Sequence, residues 1–285
     1  MSTAMPTPNP QGAPAAPSAS RTAAMILAAG RGERMRPLTD TCPKPLLPVK
    51  GHPLLFWHVQ ALLNGGFNRL VCNTAWLGEQ IGTFFADPRF TEGGFMHPPQ
   101  ANAAAAHTPP PHQQPFTVRL SDEGHDFGRA LETAGGISRA LPWLASGLQD
   151  LFWVVAGDVY APGFAFTQAA VDRMAATDHL AHLWLVPNPP HHPNGDFGLS
   201  PEGLALNLPP DHPGPRHTYS TIGLYRAALF APPWCDLPPG NPMGDALPLA
   251  PLLRRAMDAG RVSAELYHGP WTDVGTPERL AQLNA

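Results

Sequence analysis

Lysine is nearly absent from this chain: of its 285 residues only Lys44 and Lys50 carry that side chain. Lysine and arginine together number 18, form no stripe or run, and leave a net charge of −4. The electrostatic footprint of a nucleic-acid-binding surface is therefore missing. Cysteine is scarce too. Cys42, Cys72 and Cys235 form no CxxC pair and share no ligand spacing with histidine, which leaves free thiols in a reducing compartment. Apolar runs long enough to cross a bilayer are lacking. Residues 1–20 have neither the basic start nor the apolar core of a secretion signal. A cytoplasmic protein without membrane or nucleic-acid partners is expected.

Proline, by contrast, is abundant at 37 residues, and two stretches concentrate it. Residues 1–20 are Pro, Ala, Ser and Thr with almost nothing to bury, and read as a disordered tail. Residues 91–115 repeat that composition inside the chain and read as a flexible insertion in a domain running over 21–285. About 240 residues remain for the core, the size of one α/β domain. In that remainder β-rich runs at 23–28, 69–73, 116–120, 151–156 and 179–186 alternate with helical patterns at 53–64, 78–86, 133–143 and 164–175. Apolar strands separated by helices predict a single Rossmann-like α/β domain. Its mostly parallel, mixed sheet is flanked by helices on both faces. Ligands of such sheets bind beyond the carboxyl ends of the strands.

The first strand runs straight into Ala29-Gly30-Arg31-Gly32-Glu33-Arg34-Met35-Arg36-Pro37. Glycines there let the backbone approach a polyphosphate, and consecutive N–H groups can converge on its oxygens. The dinucleotide fingerprint GxGxxG fails, because Met35 stands where its third glycine belongs, and no Gly-Lys-Ser/Thr follows to make a Walker loop. Next comes Cys42-Pro43-Lys44-Pro45-Leu46-Leu47-Pro48-Val49. Its prolines predict a stiff, extended stretch that holds Lys44, a point charge suited to phosphate, in one orientation.

Two acids stand at strand ends or before helices. The strand 151–156 continues into Gly157-Asp158, and Trp271-Thr272-Asp273-Val274-Gly275-Thr276-Pro277 places Asp273 just ahead of a helix capped by Thr276. Two converging aspartates suit Mg²⁺ bound to a nucleoside triphosphate. Leu131-Glu132-Thr133-Ala134-Gly135-Gly136-Ile137 opens a helix whose small residues admit a planar base, with Glu132 able to bond its edge; an ordinary helix start capped by Thr133 explains the same residues. His191 and His192 read as residues of a solvated Pro/Gly turn.

The stretch Leu27-Ala28-Ala29-Gly30-Arg31-Gly32-Glu33-Arg34-Met35-Arg36-Pro37-Leu38-Thr39, followed by Pro43–Val49, resembles the signature of sugar-1-phosphate nucleotidyltransferases. The likeness covers the chain outside the tail and the insertion. It implies Mg²⁺-dependent transfer of a nucleotidyl group from a nucleoside triphosphate to a sugar 1-phosphate, with release of pyrophosphate. By the same resemblance Ala28, Ala29, Gly30, Arg31, Gly32, Glu132 and Ala156 bind the nucleotide and Arg34 meets phosphate. Lys44 contacts the α-phosphate or the attacking group, Asp158 and Asp273 hold the metal, and Asp196 and Thr221 belong to the sugar site. Family members most like this chain carry Asn at the position of Ala156 and a third glycine at that of Ala134. Within the family, residues 75–81, 131–137, 191–197 and 262–276 resemble the branch that joins UTP to N-acetylmuramic acid α-1-phosphate for peptidoglycan recycling.

Other donors, as in thymidylyl- or guanylyltransferases acting on glucose or mannose 1-phosphate, fit the same motifs. A non-catalytic nucleotide sensor would be expected to lose Lys44, Asp158 or Asp273, and all three are present. A dinucleotide-dependent oxidoreductase lacks both its fingerprint and the acid after the second strand, where Asn73-Thr74-Ala75-Trp76 stands. The acetyltransferase extension of bifunctional relatives requires hexapeptide repeats, which do not follow Asp273.

Overall fold

Alternation of side chains along the strands builds two cores, one on each face of a sheet. The computed structural model describes residues 22–87, 116–146, 150–209 and 211–285. The expected tail at 1–20 and insertion at 91–115 lie outside the described residues. In chain order the elements begin with β1 (Ala23–Leu27), a short antiparallel pair β2 (Pro48–Val49) and β3 (His52–Pro53), α1 (Leu54–Asn64), β4 (Arg69–Thr74) and α2 (Gly78–Phe85). They continue with β5 (Thr117–Asp122), α3 (Glu123–Phe127), α4 (Glu132–Leu144), β6 (Leu151–Ala156), β7 (Val159–Tyr160), α5 (Gln168–Ala175) and β8 (Ala181–Val186). The last are β9 (Gly198–Leu199), β10 (Ala205–Leu206), β11 (Thr218–Arg226), α6 (Leu249–Asp258), β12 (Val262–Leu266), β13 (Thr272–Asp273) and α7 (Pro277–Asn284).

The main sheet has the order β12-β8-β11-β6-β1-β4-β5. β1 is parallel to both β4 and β6, β4 to β5, and β12 to β8, while β11 runs antiparallel to β6 and β8. Met25, Phe152 and Val154 point to the face covered by α4 and α6, where Ile137, Leu141, Leu252 and Leu253 close the core. Ala24, Ile26, Trp153 and Val155 point to the other face, packed by Leu55, Val59 and Leu62 of α1 and Val171 and Met174 of α5. Every residue of β1 and β6 except the last of each is thus buried, as a sheet covered on both faces requires.

One predicted boundary is corrected by packing. The helix expected over 164–175 begins only at Gln168, because the Thr167 side chain accepts from the Ala170 amide and caps it there. Phe164 and Phe166 instead turn inward, with their rings against Trp153. Among the described residues no helix is long and apolar enough to cross a membrane.

The sheet order makes the site. Chain progression from β1 runs outward through β4 and β5, and β6 then returns to the opposite side of β1. The carboxyl ends of these parallel strands, Leu27, Thr74, Asp122 and Ala156, share one edge where the connections part in opposite directions.

Candidate active site

At that edge the glycine loop is held from several sides. Gly32 takes a left-handed backbone (φ 68) and opens a short turn at Glu33–Met35. A side chain at Gly32 would meet Thr39 Cγ2 at 3.0 Å and Lys44 Cβ at 3.3 Å, so glycine is required there for backbone and space alike. Thr39 Oγ1 donates to the Gly32 carbonyl at 2.8 Å. The Arg31 guanidinium lies 3.7 Å over the Trp76 ring, and its nitrogens donate to the Thr39 carbonyl at 2.8 Å and to Asp40 Oδ1 at 3.1 Å. Trp76 Nε1 donates to the same Thr39 carbonyl at 2.9 Å. Arg31 is thereby a strut of the loop as well as a residue of its rim.

Lys44 departs from the expected extended conformation. Residues Lys44–Leu46 form a short helical turn after extended Pro43, and Pro45 is accommodated there because its missing N–H falls in the first turn. The lysine is buried, with Nζ 2.6 Å from Asp158 Oδ2. A cation removed from water requires such a partner, and the half-exposed carboxylate supplies it. Asp158 follows Gly157, whose amide donates to the Leu27 carbonyl at 2.8 Å and so keeps the end of β6 beside the start of the glycine loop.

Asp273 reaches the same place from far along the chain. β13 pairs antiparallel with β7, Asp273 opposite Val159, and the Val274 amide donates to the Asp158 carbonyl at 2.9 Å. β7 is anchored in turn by buried His58 of α1, whose Nε2–H donates to the Val159 carbonyl at 2.8 Å. Burial pulls the His58 imidazole down to about 4, so the ring is neutral at ordinary pH. Asp273 receives Arg279 Nη1 at 2.6 Å on both oxygens and stands 2.7 Å from His191 Nε2. His191 lies exposed in the expected turn and His192 follows it half-buried, and each also faces an aspartate, with His192 Nε2 3.2 Å from Asp196 Oδ1.

On the opposite side, α4 starts at Glu132 itself, with φ 59, after Leu131 as cap; Thr133 lies inside the helix rather than capping it. Ala134 is fully buried in the core with its amide donating to the Leu247 carbonyl at 2.9 Å, so its methyl faces packing. Between α4 and the glycine loop lie two polar side chains that sequence reasoning did not place in the site, Asn73 and Glu123. Ala28 N–H donates to Asn73 Oδ1, Asn73 Nδ2 donates to Glu123 Oε1, and Leu131 N–H donates to Glu123 Oε2, each at 2.8 Å. Burial raises the Glu123 carboxyl above the usual range, against the lowering effect of those two donors. A signal for Asn73 was present in the sequence, since it is a polar residue near the end of the buried strand β4; Glu123 follows the largely polar β5 and had none. The Ala28 amide, spent on Asn73, does not join the N–H groups open to a ligand.

These parts enclose a cavity of about 480 Å³. Its walls include Ala28, Ala29, Gly30, Arg31, Gly32, Arg34, Lys44, Glu132, Ala156 and Asp158, together with Asn73, Glu123 and Gly275. Asp273 stands beside it, two residues before Gly275. Asp196 and Thr221 do not line it. The Asp196 carboxylate accepts the Tyr219 amide at 2.8 Å. Thr221, at φ 62 in an irregularity of β11, donates its hydroxyl to the Ser220 carbonyl at 2.6 Å. That carbonyl also takes Trp271 Nε1 at 3.0 Å, so the break in β11 fastens the segment leading to Asp273.

A family model described as nucleotidyl transferase matches residues 23–200. Over 263 residues the chain is 42% identical to an N-acetylmuramate alpha-1-phosphate uridylyltransferase of Neisseria meningitidis serogroup B, covering 92% of this chain and 96% of that one. A protein of the same description from Caulobacter vibrioides is 28% identical, with 90% and 92% covered. Among solved structures, one assigned to a glucose-1-phosphate thymidylyltransferase of Bacillus anthracis superposes with a TM-score of 0.67 over 92% of this chain and 94% of that one. At 19% identity that likeness is one of fold.

Proposed function

The chain belongs to the nucleotidyl transferase family, and from that we propose that it joins UTP to N-acetylmuramic acid α-1-phosphate, yielding the UDP-sugar and pyrophosphate. The observation that carries the reading is convergence: the glycine loop and Lys44 wall one cavity of nucleotide size together with Asp158, 114 positions after Lys44. The choice of UTP and of the muramic acid ester rests on likeness to the two uridylyltransferases, both matched along more than nine-tenths of their length. The product would serve peptidoglycan precursor synthesis in the cytoplasm.

In this reading the base enters between Ala28 and Glu132, beside Ala156, and the triphosphate lies along Ala29–Gly32 with Arg34 on its phosphates. The nucleophile is a phosphate oxygen of the sugar phosphate. It is already an anion, so no strong general base is required. Its attack forms a bond to the α-phosphorus while the bond to the bridging β-oxygen breaks, and that electron pair leaves with pyrophosphate. Lys44 places its charge where the α-phosphate gains negative charge, and Asp196 and Thr221 belong to the sugar end with β11. Positioning and charge neutralisation are the catalytic terms.

The donor set fits Mg²⁺. Asp158 and Asp273 offer only carboxylate oxygens, stand on hydrogen-bonded neighbouring segments, and are each held by a side-chain cation, Lys44 and Arg279. Such oxygens suit a hard cation that takes its remaining ligands from phosphate and water. When bound, the ion would neutralise the triphosphate and its leaving group.

The test is a matrix of UTP, CTP, TTP and GTP against sugar 1-phosphates, read as pyrophosphate release. UTP with the muramic acid ester should be fastest. Much faster turnover of glucose or mannose 1-phosphate overturns the substrate, and no release with any pair overturns the reaction.

A further inference from the structure

Two backbone segments face each other across the nucleotide cavity, the start of the glycine loop at Leu27–Ala28 and the start of α4 at Leu131–Glu132. Each is pinned twice. The Leu27 carbonyl accepts from Gly157 and the Ala28 amide donates to Asn73; the Leu131 carbonyl accepts from Leu247 and its amide donates to Glu123. The helix packs on β1 through Ala134 and Ile137, and at the cavity the two sets of pins meet in a side-chain hydrogen bond, Asn73 Nδ2 to Glu123 Oε1 at 2.8 Å. Asn73 is 3% exposed and Glu123 0%, so water does not substitute for either partner.

The polarity of this chain is forced. Leu131 N–H and Asn73 Nδ2 are both donors, so position 123 must accept on both oxygens, which a carboxylate does. With its NH₂ turned to Glu123, Asn73 can offer only its oxygen to Ala28. The helix leaves room for the pair at Gly136, where a Cβ would come within 2.6 Å of Glu123 Oε1 and 2.9 Å of Asn73 Nδ2. The second glycine of Gly135-Gly136 is thus accounted for by a buried carboxylate.

We propose that Asn73 and Glu123 are positioning residues that set the width and register of the slot taken by the nucleotide base, and so govern discrimination among nucleotides. The proposal rests on the reading of this cavity as the nucleotide site, but not on the identity of the sugar. In the proposed pose the phosphates lie along Ala29–Gly32, and both polar groups of Asn73 and both oxygens of Glu123 are taken up by protein partners. Loss of the link should therefore act at the base end, on affinity for UTP and on the preference for UTP over CTP, whose base presents a different donor and acceptor edge on the same ribose triphosphate.

The forced polarity supplies the experiment. Glu123→Gln sets a donor against a donor, and Asn73→Asp sets two carboxylates against each other. Together the two substitutions re-pair every group at unchanged net charge. The carboxylate then at position 73 accepts from Ala28 and from the side-chain amide nitrogen at position 123, whose amide oxygen accepts from Leu131. UTP and CTP binding would be measured by calorimetry on the full chain with Mg²⁺ and no sugar phosphate, alongside thermal melting. Each single substitution should weaken UTP binding about tenfold or more, the order expected for a mispaired buried group, and narrow the UTP:CTP ratio. The double variant should recover most of both, a coupling that independent damage to the fold does not produce. Should either single variant fail to fold, Gly136→Ala, which presses on both partners and removes neither, should still narrow the ratio. A double variant no better than the weaker single one overturns the proposal, as does a UTP:CTP ratio unmoved in every folded variant. If the wild type binds no nucleotide, the nucleotide reading and this inference fall together; if it binds UTP but transfers to no muramic acid ester, only the substrate reading fails.

Discussion

Acidification should loosen the β7–β13 pair, which holds Asp273 and directly follows Asp158, and His58 is the group responsible. Its ring is buried on α1 and donates to the Val159 carbonyl, beside Asp158. In the unfolded chain it titrates near 6.5 and in the folded protein near 4. Between those values the unfolded state binds the extra proton, so stability is full above about pH 6.5 and is lost as pH falls toward 4. The gap of two and a half pH units corresponds to about 3 kcal/mol over the whole window, of which about 2 kcal/mol fall between pH 7 and pH 5. For a chain of this size that is a drop in Tm of roughly 4–8 °C. The assay is thermal or urea unfolding of the wild type and of His58→Gln at a series of pH values. Glutamine keeps a donor for the Val159 carbonyl and does not titrate. Other groups shift with pH in both proteins and cancel in the difference, so the variant should show a curve flatter by the stated amount. Parallel curves would refute the assignment of a neutral, buried His58.

Three further outcomes follow from the geometry. Asp273→Asn or Asp158→Asn should lower pyrophosphate release by about a hundredfold or more while the fold survives, the scale of losing charge that supports a metal at a transition state; near-normal release by Asp273→Asn would sink its metal role. Lys44→Ala should reduce kcat more than nucleotide affinity, because its charge counts most as the α-phosphate becomes more negative; unchanged kcat with weaker binding would assign it to the ground state. Trp76→Ala removes the plane under Arg31 and should weaken nucleotide binding by about 0.5–2 kcal/mol, the range of a cation–π contact, with Trp76→Phe intermediate; calorimetry showing no change would mean that Arg31 needs no support.

Local chemistry made some of this readable along the chain. β1, β4, β6 and β8 are apolar runs because the sheet is covered on both faces, and that pattern needs no tertiary information. Gly32 is readable for a related reason: a left-handed turn at the end of a strand selects glycine in any context. The loop, Lys44, Asp158 and Asp273 stood out as motif residues, each with its neighbours beside it in sequence.

What one residue does to another far away was decided by the fold. Lys44 and Asp158 meet across 114 positions, and Asn73 and Glu123 across 50, because parallel strands bring their carboxyl ends to one edge whatever the length of chain between them. Nothing near His191 announces Asp273, and nothing near Arg31 announces that Trp76 will lie under it. Ala134 reads as one of the small residues that admit a base until the helix is in place, whereupon its methyl lies in the core. A helix or strand is specified by contacts within a few residues, and composition reports those contacts. A site is specified by which strand ends and helix starts are neighbours, and that follows only when the sheet closes its order and both faces are packed.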